Sequence, residues 1–88
     1  MYKVLVSRTF QKQFNSLNKS IQKRIKGGLK ELEKDPKKAR PNADILPLSG
    51  TKPQKYRLRV GEYRIIFLID KKTVRVIEVF KRGRGYRK

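Results

Sequence analysis

The sequence predicts an α+β domain of order β-α-α-β-β-β, with two N-terminal helices packed on one face of a largely antiparallel twisted sheet. Three observations predict it. The chain has 88 residues, which sets one domain over 1–88 and one small core. Apolar residues recur every three or four positions through the first third, the period of a helix. From Tyr56 onward the period falls to two, the period of a strand.

Residues 2–6, YKVLV, read as a short strand. Ser7 or Thr9 can cap the helix that follows, whose apolar face is Phe10, Phe14 and Leu17. Asn18-Lys19-Ser20 interrupts that pattern, and Ser20 is read as the second cap. Ile21, Ile25, Leu29 and Leu32 then mark a stripe running to about Lys34, and Asp35-Pro36 ends it because the residue before proline avoids the α region. Two helices this close in sequence should form an antiparallel hairpin. Gly27-Gly28 falls inside the second helix, where each glycine costs about 1 kcal/mol against alanine. The pair marks either a close approach to a neighbouring element or a hinge or docking notch. Residues 36–54 hold all four prolines and are read as a long loop pinned by Ile45, Leu46 and Leu48.

The C-terminal half reads as a meander. Gly61-Glu62 fits a two-residue type II′ turn between YRLRV and YRIIFLI. That turn pairs Val60 with Tyr63, Arg59 with Arg64 and Leu58 with Ile65. Tyr56, Leu58, Val60, Tyr63, Ile65 and Phe67 then share the core face. Arg57, Arg59 and Arg64 share the other. Like charges directly opposite each other are destabilising, and a bound phosphate would give Arg59 and Arg64 a reason to be there. A third strand, VRVIEVF over 74–80, follows. A two- or four-residue turn would bury Glu78 among apolar side chains, so a three-residue turn, Lys71 to Thr73, is expected. That register places Val76, Glu78 and Phe80 on the arginine face and carries Arg82 to it. The expected site is a basic patch of Arg57, Arg59, Arg64 and Arg82 with Glu78 as its one carboxylate. The tail KRGRGYRK adds five basic residues and Tyr86, which can stack on an unpaired base or fold back on the sheet.

Composition narrows the chemistry. Twenty-five Lys and Arg stand against seven Asp and Glu, a formal charge of +18. A small domain with that surplus repels itself and calls for a polyanion or acidic partner, nucleic acid first and an anionic membrane surface second. There is no Cys and no His. Disulfide frameworks, the usual zinc sites and every mechanism needing an imidazole are excluded. The longest apolar run, Ile65 to Ile69, is too short to span a bilayer, and MYKVLVSR lacks a signal-peptide layout, so the expected location is the cytoplasm.

Several segments together carry a resemblance over essentially the whole chain. They are Leu48-Ser-Gly50, YRLRVGEYR over 56–64 followed by IIF, Val79-Phe-Lys-Arg82, and Tyr86. With the element order, they resemble the RelE/ParE toxin superfamily of prokaryotic toxin–antitoxin systems, and the basic end KRGRGY points to the RelE branch. The resemblance implies a metal-independent, cofactor-free, ribosome-dependent endoribonuclease. Such toxins cut mRNA in the ribosomal A site by attack of a ribose 2′-OH on the adjacent phosphate. By the same resemblance, Arg57 and Arg59 match two basic positions on one strand, and Arg64 matches the arginine that steadies the transition-state phosphate. Arg82 matches the group that protonates the leaving 5′ oxygen, and Tyr86 the base-stacking tyrosine. Lys55, Lys81, Arg84 and Arg87 are expected to hold the nucleic acid. Some relatives carry lysine where this chain has Arg57 and Arg59, and one such lysine is proposed as general base. Arginine cannot be deprotonated in that way, which leaves Glu78, or charge stabilisation and alignment alone.

The resemblance also implies an acidic, partly disordered antitoxin of the RelB kind as partner in a hetero-oligomer, with ribosome and mRNA as targets and no membrane. Two other readings of the same chain are a ParE-like inhibitor of DNA gyrase and a non-catalytic RNA- or ribosome-binding module.

Overall fold

A computed structural model describes residues 1–82. The elements are β1 (Lys3–Val6), α1 (Arg8–Asn15), α2 (Lys19–Lys34), β2 (Asp44–Leu48), β3 (Lys55–Val60), β4 (Tyr63–Asp70) and β5 (Thr73–Lys81). They form one five-stranded sheet in the order β1-β5-β4-β3-β2. β1 runs parallel to β5, and every other pair is antiparallel.

Both helices begin where a side chain caps them. Ser7 Oγ accepts from the Phe10 N–H at 2.9 Å and donates to the Ile77 carbonyl, tying the start of α1 to β5. The second cap is Asn18, not Ser20: its Oδ1 accepts from the Ile21 N–H at 2.9 Å, so α2 starts at Lys19. At the far end of α2, Arg40 donates to the carbonyl of Asp35, which lies past the last helical turn, and to that of Glu31, which also accepts from the Asp35 N–H at 3.1 Å.

The helices cover one face of the sheet. Phe10, Ile25 and Leu32 meet Ile45, Leu58, Ile65, Phe67, Val74, Val76 and Val79 in a single core. The two adjacent glycines part company here. A Cβ on Gly28 would stand 3.0 Å from Leu58 Cδ2 and 3.1 Å from Val60 Cγ2, so its absence lets α2 sit down on β3. Gly27 has open space around it.

The segment 36–54 is not wholly loop. Residues 44–48 are the edge strand β2, paired with Lys55–Arg59. An edge strand tolerates Pro47, which is why a proline count misreads it. Ala43 and Ile45 turn into the core while Asp44 and Leu46 are exposed.

The first hairpin has the expected register: Val60↔Tyr63, Arg59↔Arg64, Leu58↔Ile65. Gly61 takes φ 59° and Glu62 does not take positive φ, as a type II′ turn requires. The second hairpin corrects the reading. Its loop is two residues, Lys71-Lys72, since Asp70 pairs with Thr73. Val76 pairs with Phe67 and is buried in the core, not on the arginine face. A bulge at Ile77 then shifts the phase by one residue, so Glu78 pairs with Ile66 and Phe80 with Arg64. The bulge resolves the conflict between the shortest turn and a buried carboxylate: β5 points valines inward before it and releases Glu78 to the outer face after it.

Candidate functional site

The face of the sheet away from the helices carries the arginines, and the pairing fixes their neighbours. One row across the sheet reads Asp44, Arg59, Arg64, Phe80 from β2 to β5. The next reads Leu46, Arg57, Ile66, Glu78. A third reads Leu48, Lys55, Leu68, Arg75 and ends on Leu5 of β1. Arg57, Arg59, Arg64, Glu78 and Lys55 thus lie on one surface.

Their environments differ. Arg57 is 9% exposed, and its Nη1 lies 3.6 Å from Asp44 Oδ1 and 3.5 Å from the Asp44 carbonyl. Arg59 Nη1 lies 3.8 Å from Asp44 Oδ2. One carboxylate therefore faces two guanidinium groups. It relieves part of the repulsion that the Arg59–Arg64 pairing creates. The prolines of 36–54 hide Asp44 by making β2 read as loop; the signal for it in the sequence is the in-out alternation of Ala43, Asp44, Ile45 and Leu46.

Arg64 is only partly exposed, and its Nε is buried with no hydrogen-bond partner among the described residues. A buried donor left unpaired costs about 1–3 kcal/mol, a cost that an anion seated on this face removes. Glu78 is half-buried and forms no ion pair among the described residues. It is thus an uncommitted carboxylate on the arginine face.

Arg82 is the first residue beyond β5. Its N–H donates to the Glu62 carbonyl at 2.6 Å, which brings it to the tip of the first hairpin with its side chain exposed. Lys81 pairs with Tyr63 and so is in phase with the core face rather than the arginine face. It forms an ion pair with Glu62 at 3.7 Å and lines a cleft of about 540 Å3 with Gln13, Leu17, Tyr63 and Val79. None of the arginines lines that cleft. Tyr86, Arg84 and Arg87 lie outside the described residues. The hairpin tip also holds Arg24 of α2, a residue that no motif in the sequence marks: its guanidinium lies about 3.0 Å from where a Cβ on Gly61 would stand.

Two carboxyl groups away from this face titrate below their ordinary range. Glu31 is lowered by the hydrogen bond from Arg40, and Asp35 by the backbone N–H groups of Lys37 and Lys38. Both belong to the end of α2 and its turn, so they bear on stability and not on the site. Among the described residues no cluster of His, Cys, Asp or Glu could hold a metal ion.

Comparison with known proteins gives a consistent picture. The family model for the ParE toxin of the type II toxin–antitoxin system parDE matches residues 4–86. No curated protein sequence matches the chain. Among solved structures, the chain is similar to one from the archaeal RelE–RelB complex of Pyrococcus horikoshii OT3. The two share 30% identity and a TM-score of 0.80, over 96% of this chain and 98% of that one. A chain of the RelB–RelE antitoxin–toxin complex of Methanococcus jannaschii shares 28% identity, with a TM-score of 0.71, over 88% of each. A chain of the intact E. coli RelBE complex shares 26%, with a TM-score of 0.64, over 96% of this chain and 100% of that one.

Proposed function

The chain belongs to the RelE/ParE superfamily of type II toxin–antitoxin toxins, and on that premise we propose that it is a ribosome-dependent endoribonuclease that cuts mRNA in the A site. The observation that carries the reading is the outer face of β3 and β4. Three arginines share it, and one of them keeps a buried donor without a partner among the described residues. A phosphodiester is a ligand that fits such a face.

In this reading the ribose 2′ oxygen bonds to phosphorus as the bond from phosphorus to the 5′ oxygen breaks. The products are a 2′,3′-cyclic phosphate and a 5′-hydroxyl. Arg57, Arg59 and Arg64 stabilise the charge that builds on the non-bridging oxygens. Asp44 holds Arg57 and Arg59 beside each other. Glu78, on the same face and without an ion-pair partner among the described residues, is the candidate to take the 2′ proton. The departing 5′ oxygen takes up a proton beside Arg82. The ribosome supplies alignment of the 2′ oxygen with the scissile bond, a contribution large enough to leave the isolated protein a poor nuclease. An antitoxin of the RelB kind is the expected partner, as in the complexes of its relatives.

The test is primer extension on ribosomes stalled with an empty A site, with naked mRNA as control. Wild-type protein should cut within the A-site codon and leave naked mRNA intact. Arg64→Ala and Arg82→Ala should each lose on the order of 10²-fold or more in rate, as removal of a transition-state donor does elsewhere. The match to the ParE model favours one other reading, inhibition of DNA gyrase. Absence of cuts together with inhibited supercoiling would select it.

A further inference from the structure

The helical side of the molecule carries a second basic surface that cleavage does not use. Lys19, Lys23, Lys26 and Lys30 follow one another at spacings of four, three and four along α2. At about 100° per residue they fall within roughly 60° of arc and extend over about 16 Å. All four are exposed, on the side of α2 opposite the stripe of Ile25 and Leu32 that packs on the sheet. The arginines occupy the far face of the sheet, so the two basic surfaces look in opposite directions from a molecule about 26–31 Å across.

Within the fold Lys26 Nζ lies 6.0 Å from the centroid of the Phe14 ring, and nothing among the described residues engages the side chains of Lys19, Lys23 or Lys30. Like charges at i,i+3 and i,i+4 destabilise a helix by a few tenths of a kcal/mol per pair. The acidic residues of α2, Glu31 and Glu33, come only after Lys30, and Glu31 is engaged by Arg40 and Lys34. None of the four lysines has an ion-pair partner among the described residues. Gly27 sits between Lys23 and Lys30, its neighbours at i−4 and i+3, with nothing within 4 Å of where its Cβ would be. Gly28 has a packing reason to be glycine; Gly27 has none. It leaves bare helix backbone in the middle of the lysines, open to close approach.

We propose that this face of α2 binds the phosphate backbone of duplex RNA, independently of the arginine face. The chemistry of the row selects that ligand. A row of lysines spaced evenly along one helix face matches a regular polyanionic backbone, and α2 contains no aromatic residue on which an unpaired base could stack. With single-stranded RNA on the arginine face, the protein would hold two RNA segments at once, one on each side. The proposal stands whether or not the arginine face cuts.

The experiment is fluorescence anisotropy with a labelled RNA duplex of mixed sequence, titrated across a range of salt. Three variants test it. Lys19→Gln, Lys23→Gln, Lys26→Gln and Lys30→Gln are combined in the first. Lys37→Gln, Lys38→Gln, Lys52→Gln and Lys71→Gln are combined in the second, which removes the same charge from other exposed sites. Glutamine has nearly the helix propensity of lysine, and circular dichroism checks the fold. The stripe variant should lose about 3–4 from the slope of log affinity against log salt, and the scattered variant less than about 1. Gly27→Glu, which sets one carboxylate among the lysines, should lower affinity severalfold by itself. Equal losses in the first two variants would mean that net charge alone is at work and would overturn the proposal. So would unchanged duplex binding, or a stripe variant that loses an acidic peptide partner while keeping RNA.

Discussion

Gly27 and Gly28 are adjacent in one helix, and the structure assigns them opposite responses to the same substitution. Gly27→Ala removes a residue that costs a helix interior about 1 kcal/mol, and its new methyl group meets nothing. Stability should rise by about 1 kcal/mol, which for a domain of this size is a Tm increase of about 4–8 °C. Gly28→Ala makes the same propensity gain, but its Cβ would lie 3.0 Å from Leu58 and 3.1 Å from Val60. Leu58 is fully buried and flanked in the sheet by Ile45 and Ile65, so it has little room to yield. Overpacking of that kind costs about 1–3 kcal/mol, leaving a net loss of up to about 2 kcal/mol. Urea unfolding at unchanged m-value, with thermal melts beside it, separates the two variants. A Gly28→Ala protein as stable as Gly27→Ala would refute the argument that Gly28 sets the distance between α2 and β3.

Other expectations follow from single contacts. Ser7→Ala removes the cap on α1 and the bond to the Ile77 carbonyl and should cost about 1–2 kcal/mol in urea unfolding, with Ser7→Thr recovering most of it. Lys71 holds φ 59° in the β4–β5 turn, where a side chain costs about 1–2 kcal/mol. Lys71→Gly should therefore raise Tm by a few degrees, after the added freedom of the unfolded chain is subtracted. Glu31 and Asp35 titrate lower in the folded chain than in the unfolded one. Their contribution is complete above the ordinary carboxylate range and is lost as pH falls through the depressed folded values. Glu31→Gln should flatten the acid side of a pH–stability curve, and an unchanged acid limb would show that Arg40 gives this carboxylate nothing.

The arginine face is largely legible in the sequence, because a two-residue turn at Gly61-Glu62 leaves no freedom in the pairing that follows. Once Arg59 is opposite Arg64, alternation assigns Arg57, Arg59 and Arg64 to one face and Leu58, Ile65 and Phe67 to the other. The helices are legible for the same reason, since Ile21, Ile25, Leu29 and Leu32 repeat at the helical period. Local rules of this kind act over a few residues and reach as far as two helices, a hairpin, a basic outer face and the absence of imidazole and thiol chemistry. The tertiary structure alone decided the rest. Asp44 meets Arg57 and Arg59 only because β2 pairs at the sheet edge, a contact spanning more than ten residues that no local period encodes. The bulge at Ile77 exists because β5 must bury Val74 and Val76 yet keep Glu78 out of the core, a conflict that arises only when both ends of the strand pack at once. Gly27 and Gly28 look alike in the chain and differ in the molecule, because the direction each residue faces on α2 is fixed by the surface against which the helix comes to rest.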